Sequence, residues 1–248
     1  MRKVYLVPNV ITTGNLFCGF LSVVSSCQGD FRTAAWALFV AAIFDALDGR
    51  IARMARATSS FGVQYDSLSD LTSFGIAPGI LLHQFALGAL GRAGLMISFL
   101  FTLCSALRLA RFNVTASTLP KSFFQGLPTP AAANMVAFFV IFILYRGLDP
   151  IAKTGWMLFL AISLAMLMVS SLAFPSFKEF HWRSRGGFGV LFVGLLSVVV
   201  ILMQPEITLF VVGCLYIVAS IVWNILVHFG LLRAPTESSQ LPGGQDAG

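Results

Sequence analysis

The sequence predicts an all-α integral membrane protein with about eight transmembrane helices. Three observations carry that prediction. Hydrophobic residues make up 57% of the 248 positions and charged ones only 10%, at a mean hydropathy of +0.87, where a soluble domain carries roughly 25% charged residues. Apolar runs of about 20 residues recur between short polar connections, the length an α-helix needs to cross a bilayer. The third is a sign asymmetry of the connections, described below.

The spans follow in order. The first runs from about 8 to 26, polar at its start through Pro8, Asn9, Thr12, Thr13 and Asn15. These interrupt any clean apolar core, so the stretch reads as a retained span and not a cleaved signal peptide. The second covers about 32–56, apolar until Phe44 and then carrying Asp45 and Asp48; the third, about 60–87, opens with Asp66 and Asp70. The fourth to sixth lie near 93–111, 129–145 and 154–174, and the last two near 188–203 and 207–232. A six-helix core (about 8–175) and two further helices (about 188–232) would form a single membrane-embedded domain over 1–234. Residues 235–248 are rich in Ser, Gly, Pro and Gln and read as a disordered cytoplasmic tail.

With the N-terminus inside, the inner ends collect Arg2, Lys3, Arg50, Arg53, Arg56, Arg108, Arg111, Lys121, Lys178, Arg183, Arg185 and Arg233. The outer ends keep Arg32, Arg92, Arg146 and Lys153. That asymmetry satisfies the positive-inside rule, puts both termini in the cytoplasm and sets the stretch 45–70 at the cytoplasmic boundary of the inner membrane. The net charge of +6 is then explained by loops facing anionic headgroups, and nucleic acid is not an expected partner. The four cysteines show no C-x-x-C pairing and read as packing residues.

The stretch 45–70 holds four of the ten acidic residues. Ionisable groups inside a membrane are costly and mark function. On a helix Asp45, Asp48, Gly49, Ala52 and Arg56 share one stripe, with Arg53 at its edge. On the next helix Gly62, Asp66 and Asp70 follow at steps of four, with Ser69 and Ser73 on that face. Two opposed faces would bring four carboxylates together beside three arginines. Hard oxygen donors with no His or Cys nearby favour Mg²⁺, Mn²⁺ or Ca²⁺ over zinc, and arginines suit phosphates. Two cations about 3.5–4 Å apart could clamp the attacking and leaving oxygens of an in-line displacement. A structural ion network with Arg50, Arg53 and Arg56, and a cation channel or transporter, are the alternatives.

The same residues resemble the signature of the CDP-alcohol phosphotransferases, D-x-x-D-G-x-x-A-R-x8-G-x3-D-x3-D, with every spacing met. The resemblance implies an integral membrane enzyme that moves a substituted phosphate from a CDP-linked donor onto an alcohol and releases CMP. It implies two divalent cations, Mg²⁺ or Mn²⁺, on Asp45, Asp48, Asp66 and Asp70, with Asp70 doubling as general base. Gly49, Ala52, Arg53, Gly62 and Thr12 would bind CDP. The residues Pro8, Asn9, Thr12, Asn15 and Gly19, the run Arg108–Asn113 and the run Phe124–Ala132 resemble the branch that uses L-serine. That likeness implies CDP-diacylglycerol as donor, membrane lipids around it and a homodimer. Arg108, Arg111 and Asn15 would hold the serine or phosphate group; Arg108 and Arg111, three apart, point one way and offer a carboxylate its cation. Glycerol phosphate, inositol phosphate or choline as acceptor, and an ether-lipid donor, stay open at this point.

Overall fold

The computed structural model describes residues 6–54, 59–115, 123–147, 150–175 and 204–228. Helix α1 (Leu6–Cys27) turns through Gly29, at φ 81°, into α2 (Phe31–Met54). Asp30 caps α2 by accepting from Thr33 N at 3.1 Å, and hydrogen bonds from Thr33 hold its carboxyl below the usual carboxylate range. Helices α3 (Ser60–Leu71) and α4 (Ala77–Phe85) are one continuous run interrupted by a π turn, Thr72–Ile76. A short 3₁₀ turn precedes α5 (Arg92–Thr115); α6 (Thr129–Arg146), α7 (Pro150–Val169) and α8 (Pro205–His228) complete the helices. Five of these helices are long and apolar enough to cross a membrane: α1, α5, α6, α7 and α8. The protein is all-α and membrane-integral. The expected second span is α2, at 24 residues, the third is the bent 60–85 run, and the expected span at 188–203 and tail at 235–248 lie outside the described residues.

Two features depart from the sequence expectation. The third span carries a π turn just after Asp70. Its displaced carbonyls find hydroxyls on α5: Thr102 donates to Gly75 O at 3.0 Å and Ser105 to Phe74 O at 3.4 Å. Such bulges persist only where neighbours satisfy the freed groups. The second is a pair of three-residue strands, β1 (Phe123–Gln125) and β2 (Ala173–Pro175), antiparallel with Phe124 opposite Phe174. Helix α7 also starts earlier and ends earlier than expected, because Pro150 is suited to a first helical position and 173–175 leave the helix to pair.

Packing follows membrane rules, in which close approach of small residues replaces hydrophobic expulsion from water. Ala34, Ala35, Ala41 and Cys18 are buried where α1 meets α2 and its neighbours. Gly19 lies so close to the π turn that a Cβ there would sit 2.8 Å from Ser73 Cα. Leu38, Leu81, Phe101, Val136 and Leu164 make the apolar core of α2, α4, α5, α6 and α7. Helix α8 docks through stacked Phe139, Phe142 and Phe210, with centroids 5.0–5.1 Å apart across the α6–α8 contact, and through Arg32–Glu206 at 3.5 Å. All four cysteines are free; Cys18 and Cys104 are buried packing residues as expected, whereas Cys27 is exposed because α1 ends there at the turn into α2.

Candidate active site

The C-terminal parts of α2 and α5, helix α3 and the start of α6 line a cavity of about 300 Å³. Asp45, Asp48 and Gly49 enter it from α2, Asp66 and Asp70 from α3, Arg108 from α5 and Thr129 from α6. One carboxylate oxygen each of Asp45, Asp48 and Asp66 lies within 4.8 Å of the other two. Asp48 is buried, and Asp66 Oδ1 is buried with no hydrogen-bond partner. Among the described residues no lysine or arginine forms a salt bridge with any of the four aspartates. Three clustered, unpaired carboxylates repel one another, and a hard cation is the partner their oxygen donors fit. The residues present therefore suit a divalent metal.

Helix α1 fixes two of the aspartates. Thr12 donates to Asp48 Oδ2 and Asn15 Nδ2 to Asp70 Oδ1, both at 3.0 Å. The backbone of α1 is held in turn by α3 and the π turn: Ser69 donates to Thr12 O at 3.1 Å and Ser73 to Asn15 O at 3.0 Å. The step-of-four face foreseen on the third span is thus split in use. Its aspartates face the cavity and its serines hold α1.

The structure separates the two arginines of α5. Arg108 is buried, lines the cavity and has no hydrogen-bond or salt-bridge partner among the described residues; its Nε is fully enclosed. Arg111 instead turns to the end of α7, donating from Nη2 to Val169 O at 2.9 Å and from Nη1 to Ser170 O at 3.5 Å. Gly62 sits in the first turn of α3, where its amide donates to Ser59 Oγ at 3.0 Å, outside the cavity lining. Ala52 and Arg53 continue α2, and their side chains lie outside the described residues, as does Arg56.

Of the lining residues, sequence reasoning missed Ala46; Leu109, Phe112, Pro128 and Pro130 lie in the two runs that carry the resemblance to the serine branch but were not singled out there.

The model of the CDP-alcohol phosphatidyltransferase family matches residues 5–169, which include every element of the cavity. The chain belongs to the CDP-alcohol phosphatidyltransferase family. It is similar to the CDP-diacylglycerol–serine O-phosphatidyltransferase of Helicobacter pylori, 33% identical over 229 residues, covering 92% of this chain and 94% of that one. The Bacillus subtilis protein of the same name is 35% identical over 70% of this chain and 92% of its own. An archaetidylserine synthase of Methanothermobacter thermautotrophicus is 34% identical over 68% of this chain and 69% of its own. As a family member the chain is a transferase of phospholipid biosynthesis, and the channel or transporter alternative falls away.

Proposed function

We propose that the chain transfers the phosphatidyl group of CDP-diacylglycerol to the hydroxyl of L-serine, at the cytoplasmic face of the inner membrane, and releases CMP. The observation that supports this acceptor best is Arg108: a buried guanidinium, without a partner among the described residues, in the same cavity as four aspartates. Such a group calls for an anion, and an amino-acid acceptor brings a carboxylate of one charge. The names of the relatives agree, and the archaetidylserine synthase differs in its lipid while sharing serine in its name.

Asp45, Asp48 and Asp66, with Asp70 beside them, would hold divalent cations, Mg²⁺ or Mn²⁺ and two in number. When bound, such ions neutralise the diphosphate and the charge that develops during displacement. The protein's own part is positional. Asn15 occupies Asp70 Oδ1, so the serine hydroxyl proton passes to the other oxygen of Asp70. The freed oxygen attacks the phosphorus that bears diacylglycerol, a new P–O bond forms, and the bond to the bridging oxygen breaks to give CMP. Gly49, small and in the cavity wall, leaves room for the cytidine diphosphate, with Thr12, Ala52, Arg53 and Gly62 on the same side of the assignment. The acyl chains stay in the bilayer. We also propose a homodimer, as the resemblance implies, and a single catalytic domain over 1–234.

Purified protein with Mn²⁺ or Mg²⁺ should release CMP from CDP-diacylglycerol only when L-serine is supplied, and Asp70→Asn should abolish the release. The acceptor panel is decisive: equal turnover with glycerol phosphate, inositol phosphate or choline would overturn serine and leave the family chemistry standing.

A further inference from the structure

Helix α6 begins at the cavity. Its cap position is Pro128, which provides no capping side chain, and Pro128, Thr129 and Pro130 all line the cavity. The first-turn amides of Thr129 and Ala131 have no intrahelical acceptor, and Pro130 has no N–H at all. An 18-residue helix thus presents the positive end of its dipole to this space. Two side chains reinforce it. Thr129 is fully buried and its Oγ1 has no partner among the described residues; Arg108 is 7% exposed and its Nε has none among them either. Burying such donors without an acceptor is costly, so together they suit one anion.

The aspartates say which anion. Asp45, Asp48 and Asp66 form the tight cluster, and Asp70 stands outside it. Asp70 lines the same cavity as Arg108 and Thr129, and Asn15 holds its Oδ1. On the proposed function the diphosphate belongs with the cations of the cluster, which leaves the wall of Arg108 and Thr129 for the acceptor. In L-serine only Cβ and Cα stand between the hydroxyl oxygen and the carboxyl carbon. A hydroxyl at Asp70 consequently brings its carboxylate towards Arg108 and the start of α6.

We infer that Thr129 and the N-terminal turn of α6, together with Arg108, form the subsite that holds the acceptor's carboxylate and makes the enzyme select an amino acid over a plain amino alcohol. This rests on the serine reading above. Thr129 is a specificity-determining residue whose hydroxyl donates to the carboxylate, and it takes no part in the chemistry at phosphorus.

The test uses full-length detergent-purified protein and CMP release, with Thr129→Val to remove the hydroxyl at constant shape and Thr129→Ser to keep it. Thr129→Val should raise KM for L-serine about tenfold, the loss of one charge-assisted hydrogen bond, with KM for CDP-diacylglycerol held within about twofold. Thr129→Ser should stay near wild type. Wild-type enzyme given serinol, which replaces the carboxylate by a hydroxymethyl group, should turn over far more slowly than with L-serine, a comparison that needs no variant to fold. A raised KM for CDP-diacylglycerol alone would mean that the subsite holds a donor phosphate. Unchanged KM values for Thr129→Val, a uniform loss in kcat, or equal use of serinol would each overturn the proposal. Wild-type protein that ignores L-serine altogether would instead overturn the serine reading itself.

Discussion

Thr12 and Asn15 lie side by side in purpose: each gives one hydrogen bond to one carboxylate oxygen, on Asp48 and on Asp70, at the same 3.0 Å. The two carboxylates have different proposed tasks, so the two losses should differ in kind. Thr12→Val frees a carboxylate of the proposed metal cluster, and outer-shell losses of this sort weaken metal affinity by about 10–100-fold. Its activity should fall at low Mn²⁺ and return when Mn²⁺ is raised. Asn15→Leu unfixes the proposed base, so its kcat should drop by about tenfold and stay low at any Mn²⁺ concentration. A Mn²⁺ titration of both variants separates the roles, and parallel curves would show that α1 merely packs. That division was only half legible in the sequence. The aspartates announced themselves by spacing, but Asn15 pairs with a residue 55 positions away, and no local pattern encodes which aspartate a polar residue on another helix will meet.

At the level of elements, the end of α7 organises the side of the cavity where α6 begins. Leu127 N donates to Leu167 O at 3.0 Å and Gly126 N to Leu172 O at 2.8 Å, so the approach to α6 is tied to the α7 terminus. Gly126 can follow that path because it has φ 76°, and a Cβ there would lie 3.1 Å from the Met168 carbonyl carbon. Arg111 adds α5 to the same knot. Arg108 and Arg111 are indistinguishable by helical phase, and what parts them is where α7 ends. The helices themselves were legible, since apolar length and polar interruption are local properties. The strand pair was not, because Phe124 meets Phe174 across two intervening helices, and neither was the π turn, whose stabilising hydroxyls lie on α5. Arg111→Met should leave Val169 and Ser170 carbonyls without their donor and cost about 1–3 kcal/mol of stability. The expected readout is a lowered melting temperature with KM for L-serine little changed, whereas Arg108→Met should raise that KM at near-normal stability. A serine KM that rises equally in both would place Arg111 with the acceptor after all.

Among the described residues the aspartate cavity lies at one end of the bundle, and its use depends on which side of the membrane that end meets. The cavity, Arg108 and the aspartates lie at one end of the bundle; Cys27, Gly29 and Asp30 lie at the other, in the α1–α2 turn. The charge asymmetry read from the sequence supports the proposed cytoplasmic active site, where CDP-linked donors and free serine are found. The protein contains its own reporter for that claim. Cys27 is exposed and free, Cys18 and Cys104 are buried, and Cys214 is half-buried on α8. A membrane-impermeant maleimide applied to spheroplasts should therefore modify Cys27, and inside-out vesicles should protect it until detergent is added. Cys27→Ser identifies the labelled site, and because Cys27 stands at the far end of α1 from Thr12 and Asn15, the variant should keep wild-type CMP release. Labelling of Cys27 in inside-out vesicles alone would invert the topology. It would place the aspartates on the outer face and remove the charge argument for a cytoplasmic donor, while leaving the geometry of the cavity untouched.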